Sequence, residues 1–144
     1  MMQMFEYRAL FEPGDEAGVV VTFPDVPEAI TQGDDRADAY AQARDALGLA
    51  LLTYPRRGLA LPVPKARGRD LVAIAVDPEV AAKLAVLEAF RNAGISKTEL
   101  ARRLERDEKE VRRILDPMHA TKLPALAQAL EAMGQRLVIG VEAA

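Results

Sequence analysis

The 144-residue sequence contains no cysteine and no tryptophan, and it has a single histidine. Without cysteine, a disulfide framework, a thiolate metal site and a thiol nucleophile are all excluded. No apolar run reaches the roughly 20 residues that a transmembrane helix requires, and the N-terminus lacks the basic segment and cleavage site of a signal peptide. We therefore expect a cytoplasmic protein that does not contact a membrane.

Charge is unevenly distributed along the chain, although the net charge is only −3. Residues 1–53 carry ten acids and three bases, a net charge of −7, whereas residues 54–70 carry five bases and one acid. Residues 96–122 have eight bases and six acids. An acidic first half repels nucleic acid and suits a basic protein partner. The alternative is a solvated acidic surface that keeps the protein soluble.

The first half of the sequence predicts a small sheet with one helix packed across it. Two β-prone segments flank the turn Pro13-Gly14-Asp15-Glu16, which favours a hairpin. Asp34 or Asp35 then caps a helix with apolar residues at helical spacing. The predicted elements are strands at 3–11 and 18–23, a helix to about Leu52 and a strand at 71–76. The expected fold of this domain, residues 1–76, is β-β-α-β.

The second half, residues 77–144, predicts a helical domain. Asp77-Pro78 opens it, because a capping carboxylate before proline is a common helix start. The predicted elements are helices at 78–92, 96–104, 107–115 and about 122–133, and a terminal strand at Arg136–Val141. The expected fold class of the whole chain is therefore α+β.

Two of these helices begin with capping boxes and are joined by a short turn. The two capping boxes are Ser96-Lys97-Thr98-Glu99 and Asp107-Glu108-Lys109-Glu110. In each, the first side chain caps a backbone amide of the helix, and the glutamate reaches back to the cap residue. Two short capped helices with so tight a turn are typical of a helix-turn-helix. The turn commonly contains a left-handed glycine, whereas Glu105-Arg106 occupies it here.

The second of these helices carries the candidate base-reading side chains. Its apolar residues Val111, Ile114 and Leu115 face inward, so its polar residues face outward, where arginine can donate bidentately to guanine. Neighbouring helix N-termini add candidate phosphate contacts. The candidate DNA-binding residues are Lys97, Glu108, Lys109, Arg112, Arg113, Thr121 and Lys122. A helical bundle with solvated charges is the alternative. For His119, a hydrogen bond in a loop is the expected role.

Over nearly its whole length the chain resembles the HicB family of antitoxins, the neutralising halves of type II toxin–antitoxin pairs. In the first half the resemblance rests on Phe23-Pro24-Asp25-Val26-Pro27 and Thr31-Gln32-Gly33-Asp34. In the second half it rests on Ser96-Lys97-Thr98-Glu99-Leu100-Ala101, Val111-Arg112-Arg113-Ile114-Leu115-Asp116, His119-Ala120-Thr121-Lys122 and Ala129-Leu130-Glu131-Ala132-Met133-Gly134.

The resemblance implies a partly degraded RNase H-like fold for the first half. That half would bind a HicA-type toxin, a small basic mRNA-cleaving ribonuclease, and cover its active site. The second half would bind operator DNA and repress the promoter of the operon. The candidate toxin-binding residues are Phe23, Asp25, Glu28, Asp34 and Asp35.

Operators with two-fold symmetry require two recognition helices about 34 Å apart, so a homodimer or a higher homo-oligomer is expected. The terminal segment Arg136–Val141 is a candidate strand to pair across that dimer, or to close the sheet of its own chain.

Two other functions fit parts of the pattern. A stand-alone helix-turn-helix repressor would sense a small molecule in an apolar pocket of its first half. A metal-dependent nuclease would need several carboxylates converging from strands on metal ions. Most acids of the first half instead lie in predicted loops or at a helix start. We therefore expect no catalysis, no metal and no cofactor.

Overall fold

The computed structural model describes residues 2–144, which fall into two compact units, the first ending at Asp77 and the second spanning Pro78–Ala144. The fold is α+β, with a four-stranded antiparallel sheet and one helix in the first unit and four helices in the second. No helix among the described residues combines the length and apolar character needed to cross a membrane.

The sheet of the first unit has the strand order β3-β2-β1-β4. Its strands are β1 (Glu6–Pro13), β2 (Val19–Thr22), β3 (Ile30–Gly33) and β4 (Leu71–Ala75). The first two form the predicted hairpin, which Gly14 N–H closes on the Gly18 carbonyl at 2.9 Å. Gly18 has a φ of +77°, and a Cβ there would lie 2.6 Å from the Gly33 oxygen, so the hairpin requires glycine.

The predicted order β-β-α-β is wrong in one respect, because β3 lies between the hairpin and the helix. The unit is therefore β-β-β-α-β. This strand has only four residues and stands at an edge of the sheet, paired with β2 alone. So short a segment gives no clear alternation of apolar and polar residues. Its identity as a strand comes from hydrogen bonds to β2, which precedes it by several residues.

Helix α1 (Arg36–Arg56) packs against the sheet. Asp35 is its N-cap, and the Asp35 carboxylate accepts a hydrogen bond from Asp38 N–H at 2.8 Å. Ala43, Leu47 and Leu51 form the buried stripe of the helix, whereas Tyr40, which lies at the same helical spacing, is 41% exposed. The helix continues four residues past the predicted end. Pro55 lies in the last turn, where its missing N–H removes one hydrogen bond close to the end of the helix.

The second unit consists of four helices around one apolar core. They are α2 (Pro78–Ala93), α3 (Lys97–Leu104), α4 (Glu108–Ile114) and α5 (Leu123–Ala132). Each predicted helix is present, and each end lies within one residue of its predicted position. The core unites all four through the fully buried side chains Val86, Leu100, Val111 and Leu126. Burial of such apolar stripes is the main source of stability for short helices.

The residues after α5 form no strand in the described chain, so the prediction of a terminal strand at Arg136–Val141 is wrong for the single chain. Leu137 packs against the helical core, but Val138 is 56%, Ile139 60% and Val141 98% exposed. The β-branched composition that suggested a strand reflects a preference for pleated, half-buried surroundings. A strand also requires a neighbour to hydrogen-bond with, and composition does not supply one.

Candidate functional site

Helices α3 and α4 begin with the side-chain caps that their sequences predict. Ser96 Oγ accepts a hydrogen bond from Glu99 N–H at 3.0 Å, and the Asp107 carboxylate accepts one from Glu110 N–H at 2.8 Å. The second hydrogen bond predicted for each capping box, from the N–H of the cap residue to the glutamate side chain, is wrong. Both glutamates bind arginines instead. A guanidinium offers a charge-assisted hydrogen bond, which is stronger than the bond to a neutral backbone amide.

The turn between the two helices is built around one strained residue. Glu105 has φ 53° and ψ 43°, and it is the one non-glycine residue with positive φ among the described residues. Its left-handed conformation lets Arg106 N–H donate back to the Ala101 carbonyl at 3.1 Å. Asp107 caps α4 directly afterwards. The left-handed position that normally favours glycine is therefore occupied by glutamate, as the sequence predicted.

Three of the arginines in this region are neutralised by neighbouring acids. Arg102 makes two hydrogen bonds to Glu99, at 2.6 and 2.7 Å, and Arg103 makes one at 3.2 Å. The hydrogen bonds from Arg102 and then those from Arg103 lower the pKa of Glu99 to about 2, so this carboxylate stays ionised. Arg106 contacts Glu110 at 3.4 Å and donates to Gln128 at 2.8 Å.

The other five bases of this region are exposed and make no hydrogen bond or ion pair through their side chains within residues 2–144. Three of them lie on α4, one is the first residue of α3, and one is the N-cap of α5. They are Lys97, Lys109, Arg112, Arg113 and Lys122, all of which the sequence marked as candidates. We call these five residues the free cationic set. Their charge is available to an external anion.

The remaining two DNA-binding candidates have partners inside the chain. Glu108 accepts a hydrogen bond from the Thr98 hydroxyl, which ties the start of α4 to the start of α3. Thr121 is half-buried, and its hydroxyl lies 3.1 Å from His119 Nδ1. His119 therefore makes the loop hydrogen bond that was predicted for it.

A buried lysine, Lys83 of α2, fixes the end of α4. Its Nζ donates to the carbonyls of Arg113 and Ile114, at 3.2 and 2.8 Å, and to the Thr121 hydroxyl at 2.7 Å. The residue is only 4% exposed. All three ammonium protons are used, which offsets part of the cost of burial. Burial lowers the pKa of Lys83 to about 8, and the charge of Asp116 acts in the opposite direction.

Sequence reasoning did not single out Lys83, but a signal for it exists. The apolar stripe of α2 includes Val80, Leu84 and Leu87, and Lys83 stands on the same face by helical spacing. A lysine within an apolar stripe points either to an aliphatic stem with an exposed head or to a buried, fully paired ammonium. Only the contacts of Lys83 with α4 show that its ammonium is buried and fully paired.

In the first unit, most of the candidate toxin-binding residues have structural partners. Phe23 is 2% exposed and belongs to the core. Asp25 accepts hydrogen bonds from the backbone N–H groups of Lys65 and Ala66, at 2.9 and 2.7 Å, and so fastens the proline-rich segment before β4. Because the side chain of Phe23 and the carboxylate of Asp25 are occupied within the unit, neither is displayed as a free group.

The acids beside α1 are also engaged. Glu28 accepts from Tyr54 Oη–H at 2.7 Å and from Arg57 at 3.1 Å, and the Tyr54 hydrogen bond lowers the pKa of Glu28. Asp35 caps α1, which leaves Asp34 as the candidate whose carboxylate is exposed without a described partner. The role of these five residues in toxin binding stays a prediction. Within residues 2–144 no three histidine, aspartate or glutamate side chains lie close enough to hold a metal ion.

This geometry defines an α+β protein of two units. Its free cationic set lies on and beside α3 and α4, the two helices joined by a short turn. Three relatives match the protein along nearly the whole chain. "Antitoxin HicB 1" of Photorhabdus laumondii is 36% identical over 142 residues, which cover 99% of this chain and 90% of the relative. "Antitoxin HicB 2" of the same organism is 39% identical, covering 95% and 96%. "Antitoxin HicB" of Escherichia coli K12 is 37% identical, covering 91% and 95%.

No family model matches the chain. The relatives nevertheless exceed 30% identity over more than nine-tenths of this chain, so it belongs to the HicB antitoxin family.

Proposed function

We propose that this chain neutralises a HicA-type toxin through its first unit and represses its own operon through its second. In this proposal α3 and α4 form a helix-turn-helix, and α4 is the recognition helix that enters the major groove of the operator. The antitoxin half follows from membership of the family. The toxin type and the repression are our proposal.

The free cationic set is the observation that carries the DNA-binding half. Arginines that are paired with glutamate contribute little field to an approaching phosphate backbone, whereas unpaired bases release counterions when they bind it. Arg112 and Arg113 lie on α4 and fit base-edge contacts to guanine. Lys97 and Lys122 lie at the starts of α3 and α5 and fit phosphate contacts.

The charge of the first half supports the toxin-binding half of the proposal. Residues 1–53 have a net charge of −7. A ribonuclease that binds mRNA carries a basic surface, because it must attract phosphates. An acidic protein competes for that surface and speeds association through long-range attraction.

The proposal requires two recognition helices on one operator, and therefore a homodimer or a higher homo-oligomer. Two related copies on one operator double the phosphate and base contacts that a single helix-turn-helix makes.

The DNA-binding half is tested by Arg112→Ala and Arg113→Ala in gel shifts with the promoter of the chain's own operon. Each change should weaken binding by about 1–3 kcal/mol, the usual value of one base contact. Arg102→Ala is the matched control, because Arg102 is 72% exposed in its side chain but paired with Glu99. Toxin binding should be unchanged in all three variants. Equal DNA affinity for both α4 variants and wild type would reject α4 as the recognition helix.

A further inference from the structure

The sheet of the first unit has one face that α1 does not cover. Side chains alternate along each strand, and those on the α1 side include the buried Tyr7, Val21 and Ile74. The side chains on the opposite side form what we call the open face. Its members are Glu6, Arg8, Leu10 and Glu12 of β1, Val20 and Thr22 of β2, Ile30 and Gln32 of β3, and Leu71, Ala73 and Ala75 of β4.

A largely apolar row crosses the open face from one edge to the other. The strand registers place Ile30 opposite Thr22, and Thr22 opposite Leu10. Leu10 in turn faces Leu71 on β4. Ile30 is 65% exposed and the other three are half-buried. Cross-strand neighbours of this kind form a continuous surface, and a continuous apolar surface with a polar rim is typical of a protein interface.

An acidic groove adjoins this row at the hairpin end of the sheet. It has a volume of about 680 Å³ and is lined by Glu12, Pro13, Gly14, Asp15, Glu16, Ala17, Val20 and Gln32. Three of the lining residues, Glu12, Asp15 and Glu16, are exposed acids without a hydrogen bond or ion pair to any residue in 2–144. Their charge is uncompensated within the unit, unlike that of Glu28.

The charge of this surface selects among its possible occupants. Four acids of the open face and groove, Glu6, Glu12, Asp15 and Glu16, stand against the single base Arg8, which gives a net charge of −3. Nucleic acid is repelled by such a surface. A second copy of this chain would bring the same negative surface against itself, because a two-fold interface is self-complementary. A cationic protein with apolar side chains at its centre fits both the groove and the row.

We infer that the open face, with its acidic groove, is the surface on which the basic toxin docks. The inference rests on the proposed function. It identifies the surface that contacts the toxin, which the five candidate toxin-binding residues do not define. Lysine or arginine side chains of the toxin enter the groove beside Glu12, and apolar side chains cover the row that begins at Ile30. The helix α1 lies on the other side of the sheet and takes no part in the contact.

Two pairs of matched variants test the surface. Glu12→Lys reverses a charge in the groove, and Asp45→Lys makes the same reversal at an exposed position on α1. Ile30→Arg replaces a 65% exposed side chain of the row, and Leu49→Arg replaces a 62% exposed side chain of α1. Each pair changes the net charge of the protein equally, so long-range attraction of the toxin is altered alike and only the local contact differs.

The probe is the small basic protein that the proposed function expects the neighbouring reading frame to encode, separated from the co-expressed complex under denaturing conditions and refolded. Calorimetric titration should give at least about tenfold weaker binding for Glu12→Lys and for Ile30→Arg than for their controls. Circular dichroism checks that each variant is folded. If Ile30→Arg does not fold, the Glu12 and Asp45 pair decides alone.

Failure of this inference differs from failure of the proposed function. If the wild-type chain does not bind the basic protein, the toxin-binding half of the proposed function is wrong, and this inference falls with it. If the wild-type chain binds and the open-face variants bind as tightly as their controls, only the open face is excluded. If Ile30→Arg instead converts a dimer into a monomer in light scattering, a second copy occupies the face and the inference is overturned.

Discussion

At the scale of single residues, the buried ammonium of Lys83 ties the stability of the second unit to pH. Its pKa is lowered from 10.5 to about 8 because burial disfavours the charged form. Between pH 8 and 10.5 the unfolded chain therefore holds a proton that the folded chain has released. Stability rises with pH wherever the unfolded state binds more protons, so the contribution of Lys83 improves across this window. Below pH 8 both states are protonated and the contribution is constant.

We expect the free energy of unfolding of the wild type to rise by about 1 kcal/mol between pH 7 and pH 9, relative to a Lys83→Met variant. The size follows because one pH unit within the window changes the free energy of unfolding by at most about 1.4 kcal/mol. Urea unfolding at the two pH values measures the difference, and the variant cancels the titration of other groups. Parallel changes in both proteins would mean that Lys83 keeps an ordinary pKa in the folded chain.

Asp25 shows how a residue can carry a family resemblance for a structural reason. Its position in Phe23-Pro24-Asp25-Val26-Pro27 marks it as a candidate binding residue, yet its carboxylate holds two backbone N–H groups 40 and 41 residues further along the chain. Those N–H donors lie in a segment with several prolines, which offers few backbone hydrogen bonds of its own. The Asp25 carboxylate therefore supplies the hydrogen-bond acceptors that a neighbouring strand would otherwise offer to this segment.

At the scale of secondary-structure elements, the connection between α3 and α4 stores strain. Glu105 is held in the left-handed region, which costs an L-residue with a Cβ roughly 1 kcal/mol or more. The side chain of Glu105 is exposed and has no described partner, so the strain is not offset by a contact. The geometry persists because the caps at Ser96 and Asp107 and the buried faces of both helices determine where the turn must pass.

Glu105→Gly should therefore stabilise the chain by about 0.5–1 kcal/mol, the relief of strain being partly offset by the greater freedom of glycine in the unfolded state. Glu105→Ala is the control, because alanine keeps the Cβ and should give no gain. The midpoint of urea unfolding measures both. A destabilising glycine would show that the glutamate side chain, rather than the backbone, matters at this turn.

At the scale of the whole molecule, we expect the structure of the segment after α5 to depend on pairing with a second chain. Residues 135–144 lack strand pairing in the described chain, and three of their apolar side chains are more than half exposed. Exposed β-prone segments without a neighbour favour pairing with another copy. Such pairing would give the strand that the sequence predicts at Arg136–Val141, and would bring two second units together on one operator.

The wild-type protein should have twice its 15.7 kDa chain mass in light scattering at micromolar concentration. A chain that ends at Gln135 should have the mass of a monomer and should lose affinity for the operator, while its binding to the basic partner protein is retained. A truncated chain that remains dimeric would place the dimer contact elsewhere in the molecule.

The sequence by itself determined the helices of the second unit, the hairpin and the left-handed turn. These features depend on caps, turn residues and apolar spacing, whose interactions reach only a few residues along the chain. The ends of α2 to α5 lie within one residue of prediction for this reason. Candidate bases on α4 could likewise be found, because the inward face of a short helix leaves little choice for its outward face.

The tertiary structure alone decided which charges are free and which are occupied. Arg102 and Arg112 look alike in the sequence, yet one is paired with Glu99 and the other is not. The contacts of Lys83 with α4 and the pairing of β3 with β2 also depend on groups outside the local segment. The ion pairs of α3 and α4 join residues three or four apart, a spacing that permits pairing but does not select which permitted pair forms. The contacts of Lys83 and the pairing of the strands depend on proximity in space.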